Sequence, residues 1–365
     1  KKGSQALSRL LGSGDGGPSP EMSANGGSLR EELLRRCSGR EDCIEICDLP
    51  EGAPAFTART AWARTELSPR EFTGRIDRSW RVLSFSSMIP DSSHDTDAAD
   101  RDARSVDPPQ ETLTGEGVFR LPGGARTGIM LHSLLERLDF QADEETVQGL
   151  VAQSLRLHGF SPSWMETLAG MIRKVLAFTV EGVPLASVPM EHTVREMEFY
   201  LPVRNISRQA LERAFACGRR PAVPDAFPRM MEELHLDEAT GFLRGFIDLV
   251  FTLGGKYYLL DWKSNYLGPG IEHYGRDALE QAMARNYYIL QYHLYAAGLD
   301  IYLGRRIKGY SFDRHFGGII YVFLRGLDPE RGPDYGVYRA MPDRGVLRVL
   351  AESFDIRGGS RPEGR

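Results

Sequence analysis

A chain of 365 residues, 41% hydrophobic and 26% charged, has enough apolar material for a core and the length of about two domains. No run approaches the roughly 18 consecutive apolar residues of a membrane span, and no secretory leader is recognisable, so a cytoplasmic protein without a membrane partner is expected. Net charge is −5, with 45 basic against 50 acidic residues, which lacks the basic excess of a protein coated for nucleic acid.

The chain opens at Lys1 and reads as part of something longer. Residues 1–30 are rich in Gly and Ser and cannot bury enough apolar area to offset the entropy of ordering. Between 31 and 87, REELLRRC reads as a short helix, and CIEICDL and SWRVLSFS read as strands. Residues 1–88 therefore resemble the tail of a preceding domain. Cys37, Cys43, Cys47 and Cys217 are too few for a disulfide framework, and their spacing does not match a zinc site, so buried or incidental thiols in a reducing compartment are expected. Residues 89–113 form an acidic linker, in which 91–104 alone carry five Asp against two Arg.

From 114 to 365 the pattern becomes regular. TGIMLHSLLERLDF places Leu131, Leu134, Leu135 and Leu138 on one helical stripe. Further helices are expected over about 145–158 and 163–181. EMEFYLPV reads as a strand, and GFLRGFIDLVFTL and KYYLLDWKS as two strands joined at Gly254-Gly255. DALEQAMARNYYILQYHLYAAGL predicts one long helix, and GGIIYVFLR a buried strand. The order helix, three strands, helix, strand gives an α/β αβββαβ core with a mixed central sheet and extra inserted helices.

Gly-Gly is a favoured two-residue hairpin loop, because both positions can take positive φ. With that loop, cross-strand partners sum to 509, so Asp248 lies opposite Asp261, and Lys263 shares the face of Asp261. Two facing carboxylates amid Phe246, Ile247, Leu249, Leu260 and Trp262 repel each other unless they are paired, metal-bound or protonated. Two arrangements meet this condition: an Asp–Lys ion pair with one solvated Asp, or a shared divalent cation. Two carboxylates, a cation such as Mg²⁺ and a lysine are the parts that phosphodiester cleavage needs.

GFIDLVF followed by LLDWKSN resembles the D…DxK signature of the PD-(D/E)XK nuclease superfamily. Within it, LHSLLERLDF, REMEFYLP, LQYHLYAAGLDIYL and FGGIIYVFLRG are similar to RecB-type nuclease domains, the C-terminal nuclease of exodeoxyribonuclease V beta subunits. The resemblance covers about 118–355. It implies a restriction-endonuclease-like fold and a Mg²⁺-dependent deoxyribonuclease acting in double-strand break repair and recombination. The implied metal ligands are His132, Asp248, Asp261 and the backbone carbonyl of Trp262. Lys263 would be the catalytic lysine. Gln291 and Tyr295, a QxxxY pair on one helix face, would stand beside the metal. A glutamate from the strand before the hairpin is expected there too, with Glu196 favoured over Glu198.

No GxxxxGK[ST] loop occurs in the sequence, so the resemblance implies that helicase activity belongs to a preceding part, of whose motor domain residues 1–88 would be the tail. Single-stranded DNA, RecC-like and RecD-like subunits and the RecA recombinase are the implied partners. An alternative from another class is a non-catalytic interaction module that docks RecA. Arg305, Arg306 and Lys308 supply local positive charge for phosphate, and the low overall charge predicts a weak independent grip on DNA.

Overall fold

The computed structural model describes residues 80–90, 115–220, 222–236 and 239–354, with Leu34, Ser38 and Gly74 as isolated positions. The expected helix over REELLRRC, Leu34 aside, and the strand over CIEICDL fall outside the described residues, as does most of the acidic linker. The chain divides into two compact units, 1–74 and 75–365, and the architecture below belongs to the second.

The strands are β1 (Trp80–Ser84), β2 (Thr179–Val180), β3 (Val183–Pro184), β4 (Thr193–Ile206), β5 (Ala239–Leu253), β6 (Lys256–Lys263), β7 (Phe316–Phe323) and β8 (Val337–Ala340). β2 and β3 form a separate small hairpin, and the other six strands make the central sheet. β1–β5 and β6–β7 are parallel pairs, whereas β4–β5, β5–β6 and β7–β8 are antiparallel. The principal helices are α1 (Ala125–Arg137), α2 (Glu144–Leu157), α3 (Met165–Ala177), α4 (Arg208–Ala216), α5 (Arg276–Arg285), α6 (Tyr288–Arg306) and α7 (Arg344–Ser353). This is a mixed α/β architecture with helices against both faces of the sheet, as expected of a restriction-endonuclease-like fold.

Two apolar clusters sandwich the sheet. Leu131, Leu134 and Leu135 of α1 pack with α2 and α3 over Leu249, Phe251, Leu260 and Trp262. On the other face, α6 packs its tyrosines over Leu243, Ile247, Val250 and Leu259. The Leu131 stripe is therefore the buried face of α1, and Leu138 closes the helix at its C-cap.

Two features depart from the sequence reading. The segment Trp80–Ser84, placed there in the tail of a preceding domain, is a strand of the central sheet, paired from Trp80↔Thr240 to Ser84↔Arg244. β5 has 15 residues. With β4 along one edge, the other edge has room for β1 at one end and β6 at the other. The expected long helix is two helices, because Asn286 caps α5 through Ala282 O and Tyr287 takes a left-handed conformation, φ 57°. The Tyr287 hydroxyl is anchored on Glu233 Oε2 at 2.7 Å, which fixes the break by tertiary contact. Sequence reasoning also passed over α4, α7 and β8, although Ser207 and Asp343 are N-caps that announce the two helices.

Candidate metal centre

The hairpin follows the predicted register. Gly254 and Gly255 have φ of 57° and 76°, and pairing runs from Leu253↔Lys256 to Leu249↔Leu260. The next pair in that frame is Asp248 and Asp261, and there the ladder stops. Between the β1 and β6 partners of β5 lie Gly245 to Asp248, so the strands splay at the carboxylates. Asp248 fills the lapse: its Oδ2 accepts the Trp262 backbone N–H at 2.7 Å.

The opposite edge of β5 is interrupted at the same place. β4 pairs Arg195↔Leu249 and Met197↔Ile247 but skips Glu196 and Asp248, which face each other in the same frame. Glu196 has φ 47°, a left-handed conformation rare for a residue with a side chain in a strand. The alternation of β5 inverts here too. Leu243 and Ile247 share a core with Val250, whereas Leu249 and Phe251 face the other one. Both strands are thus irregular at the position where the two carboxylates converge.

His132 of α1 completes the group. Its Nδ1 lies 3.4 Å from Asp248 Oδ1, and the imidazole is buried. Ligand atoms of His132, Glu196 and Asp248 lie within 4.8 Å of one another, close to the span of ligands held about 2.1 Å from a shared divalent ion. One imidazole nitrogen and two carboxylates, gathered at a sheet irregularity, are a donor set suited to a hard or borderline cation. The residues present fit a metal ion. The sequence reading favoured Glu196 over Glu198; Glu196 joins this group, and Glu198 instead accepts Arg244 Nε at 2.8 Å.

Asp261 and Lys263 form an adjacent layer. Both are 2% exposed, and Lys263 Nζ lies 2.6 Å from Asp261 Oδ1. Asp261 is not among the three residues that converge as metal donors. A buried ammonium needs more than one partner, and two aromatic rings supply it: Tyr288 at 4.1 Å and Tyr321 at 5.3 Å from Nζ to the ring centroid.

The Tyr321 hydroxyl donates to Gln291 Oε1 at 2.8 Å, and Gln291 Nε2 reaches the Tyr295 hydroxyl at 3.4 Å. QxxxY thus supports the lysine through Tyr321. Sequence reasoning missed Tyr288 and Tyr321 as lysine-contacting residues. For Tyr288 a signal was present, since Tyr288, Gln291 and Tyr295 recur on one helical stripe. Tyr295 packs edge-on against Phe199 at 5.4 Å, and Gly245 leaves the space for both rings, since a Cβ there would collide with each.

Arg325 ties the loops behind the site together. This buried guanidinium donates to Ser264 O just after Lys263, and to Val118, Leu121 and Pro122 carbonyls just before α1.

Comparison with curated proteins places these features in context. The chain is 35% identical over 374 residues to RecBCD enzyme subunit RecB of Escherichia coli, covering 95% of this chain and 30% of the relative. It is 31% identical over 373 residues to the Haemophilus influenzae RecB subunit, covering 96% of this chain and 30% of the relative. The Mycobacterium tuberculosis RecB subunit is 28% identical over 352 residues, 83% of this chain and 32% of the relative. No family model matches the chain. The chain thus spans about a third of the length of the curated relatives it matches.

Proposed function

From a chain related over nearly its whole length to RecB subunits, we propose a metal-dependent deoxyribonuclease that hydrolyses DNA phosphodiester bonds, with Mg²⁺ as its ion. The observation that carries this reading is the convergence of His132, Glu196 and Asp248 beside a buried Asp261–Lys263 pair. Asp248, Glu196 and His132 would hold the ion, with Asp261 and the Trp262 carbonyl as further ligands. A bound Mg²⁺ supplies charge stabilisation at the phosphate and lowers the pKa of a coordinated water.

The chain's own residues have definite tasks. Asp248 is oriented by the Trp262 N–H on Oδ2, which leaves Oδ1 turned toward His132. Lys263, steadied by Asp261 and two tyrosine rings, presents an ammonium that can position a nucleophilic water or stabilise phosphate charge. Gln291 holds Tyr321 against that lysine from behind.

The proposed organisation is a nuclease domain over 114–365 joined by the strand Trp80–Ser84, an acidic linker over 89–113, and the tail of a helicase motor in the rest of 1–88. The proposed setting is the nuclease part of a cytoplasmic helicase–nuclease in double-strand break repair and recombination. Its partners would be RecC-like and RecD-like subunits and the RecA recombinase. Among the described residues, no helix is long and apolar enough to cross a membrane. The test is degradation of labelled single-stranded DNA by the whole chain with Mg²⁺, with EDTA and with Asp248→Ala. Cleavage that survives both EDTA and the substitution would defeat the proposal.

A further inference from the structure

Among the described residues, helices cover only half of the sheet face that leads to the metal group. Helices α1 to α3 pack over the half that carries Leu249, Phe251, Leu260 and Trp262. The other half is built by β1, β4 and the first part of β5. Their inward residues, among them Leu83, Phe199, Leu201 and Leu243, lie in the opposite core. Their outward residues combine the Glu198–Arg244 ion pair with more exposed apolar and aromatic side chains than is usual for an exposed sheet face. Trp80 is 56% exposed, Val82 51% and Tyr200 50%, and Phe242, Arg244 and Phe246 alternate half-exposed along β5.

These side chains form one connected surface. Trp80 and Tyr200 stand edge-on to Phe242, with centroids at 6.0 and 6.3 Å. The Arg244 guanidinium lies 5.7 Å from the Tyr200 ring and 4.8 Å from the Phe246 ring. Successive residues on one strand face are about 7 Å apart, and the next position after Phe246 on this face of β5 is Asp248. The row of rings therefore ends at the metal donors, at the border of the helix-covered half where His132 sits.

We propose that this open face is a binding track for unpaired nucleic acid, on which bases stack against Trp80, Tyr200, Phe242 and Phe246 as the strand approaches Asp248. The proposal rests on the nuclease reading and adds to it where the substrate lies. An exposed apolar patch of this kind marks a binding surface. Rings interleaved with a guanidinium suit single strands, whose bases offer free π faces, whereas duplex bases are already stacked. A protein seated here would block the approach to Asp248. Arg244 is paired with Glu198, so the track carries little net charge and its grip comes from stacking. Binding should therefore depend only weakly on salt.

The test is fluorescence anisotropy of a labelled oligothymidylate of about 20 nucleotides with the whole chain, in EDTA so that no strand is cut. Tyr200→Ala and Phe242→Ala should each weaken binding about tenfold, and Tyr200→Phe, which keeps the ring, should bind like the unaltered chain. Leu157→Ala removes an exposed apolar side chain elsewhere and should leave binding unchanged. Tyr200→Ala carries the test if Phe242→Ala does not fold. Unchanged affinity in the alanine variants, no binding by the unaltered chain, or equal binding of blunt duplex would overturn the track. Cleavage with Mg²⁺ is read separately. Cleavage with ring-independent binding sinks the track alone, and ring-dependent binding without cleavage sinks the catalytic reading alone.

Discussion

Glu196 and Asp248 face each other across β4 and β5 at a position where the ladder omits their pair, and Glu196 is left-handed there. Two carboxylates opposed in a sheet repel, and the left-handed backbone costs roughly 1 kcal/mol or more. Such strain persists where the surrounding structure over-determines it, and here it aims a carboxylate at the group that includes His132.

Replacing Glu196 should separate strain from function. Glu196→Gly relieves both the positive φ and the repulsion, and should raise the melting temperature by about 2 °C in metal-free buffer. Glu196→Ala removes the charge but keeps the strain, and should be less stable than the glycine variant. Both should bind Mg²⁺ more weakly, measured as a smaller thermal stabilisation at a fixed concentration of the ion.

The buried Asp261–Lys263 pair should be costly to break from one side. Lys263→Met removes the ammonium from the buried Asp261 carboxylate and its cation–π contacts with Tyr288 and Tyr321, and should lose about 3 kcal/mol in a denaturation curve. The double variant Asp261→Asn, Lys263→Met should recover much of that stability and none of the cleavage. Equal stability of the single and double variants would show that the pair is not coupled.

Arg325 should control the placement of α1, and with it His132. Its guanidinium satisfies four backbone carbonyls on two separate loops, a fork that lysine cannot reproduce. Arg325→Lys should lower stability by about 2 kcal/mol and speed amide exchange in residues 117–122, read by mass spectrometry. Exchange unaltered in that segment would mean that the loop is held by other contacts.

His293 gives the fold a defined acid response. The imidazole is fully buried in α6, with Nδ1 against Ile289 O and Nε2 accepting the Asp343 N–H, so it folds in the neutral form. Burial pushes its pKa down to about 4. The unfolded value is near 6.5, so the unfolded chain binds the extra proton between these limits. The stability that His293 contributes is full above pH ~6.5 and is lost as pH falls toward 4, in all about 3 kcal/mol. His293→Gln should flatten the slope of unfolding free energy against pH in that window.

Much of this was legible in the sequence because it rests on short-range rules. Gly254-Gly255 sets a hairpin register, and the register alone puts Asp248, Asp261 and Lys263 in one neighbourhood. The Leu131–Leu138 stripe locates α1. What escaped depends on long-range geometry. No local pattern tells that Trp80–Ser84 crosses the acidic segment to pair with β5, or that Glu196 breaks the alternation of its own strand. Alternation cannot choose between Glu196 and Glu198, because both lie on even positions; the left-handed backbone at Glu196 and the Arg244 pairing of Glu198 separate them. The break at Tyr287 was hidden for the same reason, since the contact with Glu233 that fixes it comes from a short helical turn 54 residues away in sequence.

The most direct measurement is the rate at which the whole chain, Trp80–Ser84 included, shortens labelled single-stranded DNA in Mg²⁺, compared with Asp261→Ala. The account predicts cleavage that requires the metal and falls at least about 100-fold in the variant, which loses both the carboxylate and the anchor of Lys263. Cleavage by Asp261→Ala at the unaltered rate, or a folded chain inert with Mg²⁺ and Mn²⁺ alike, would contradict it.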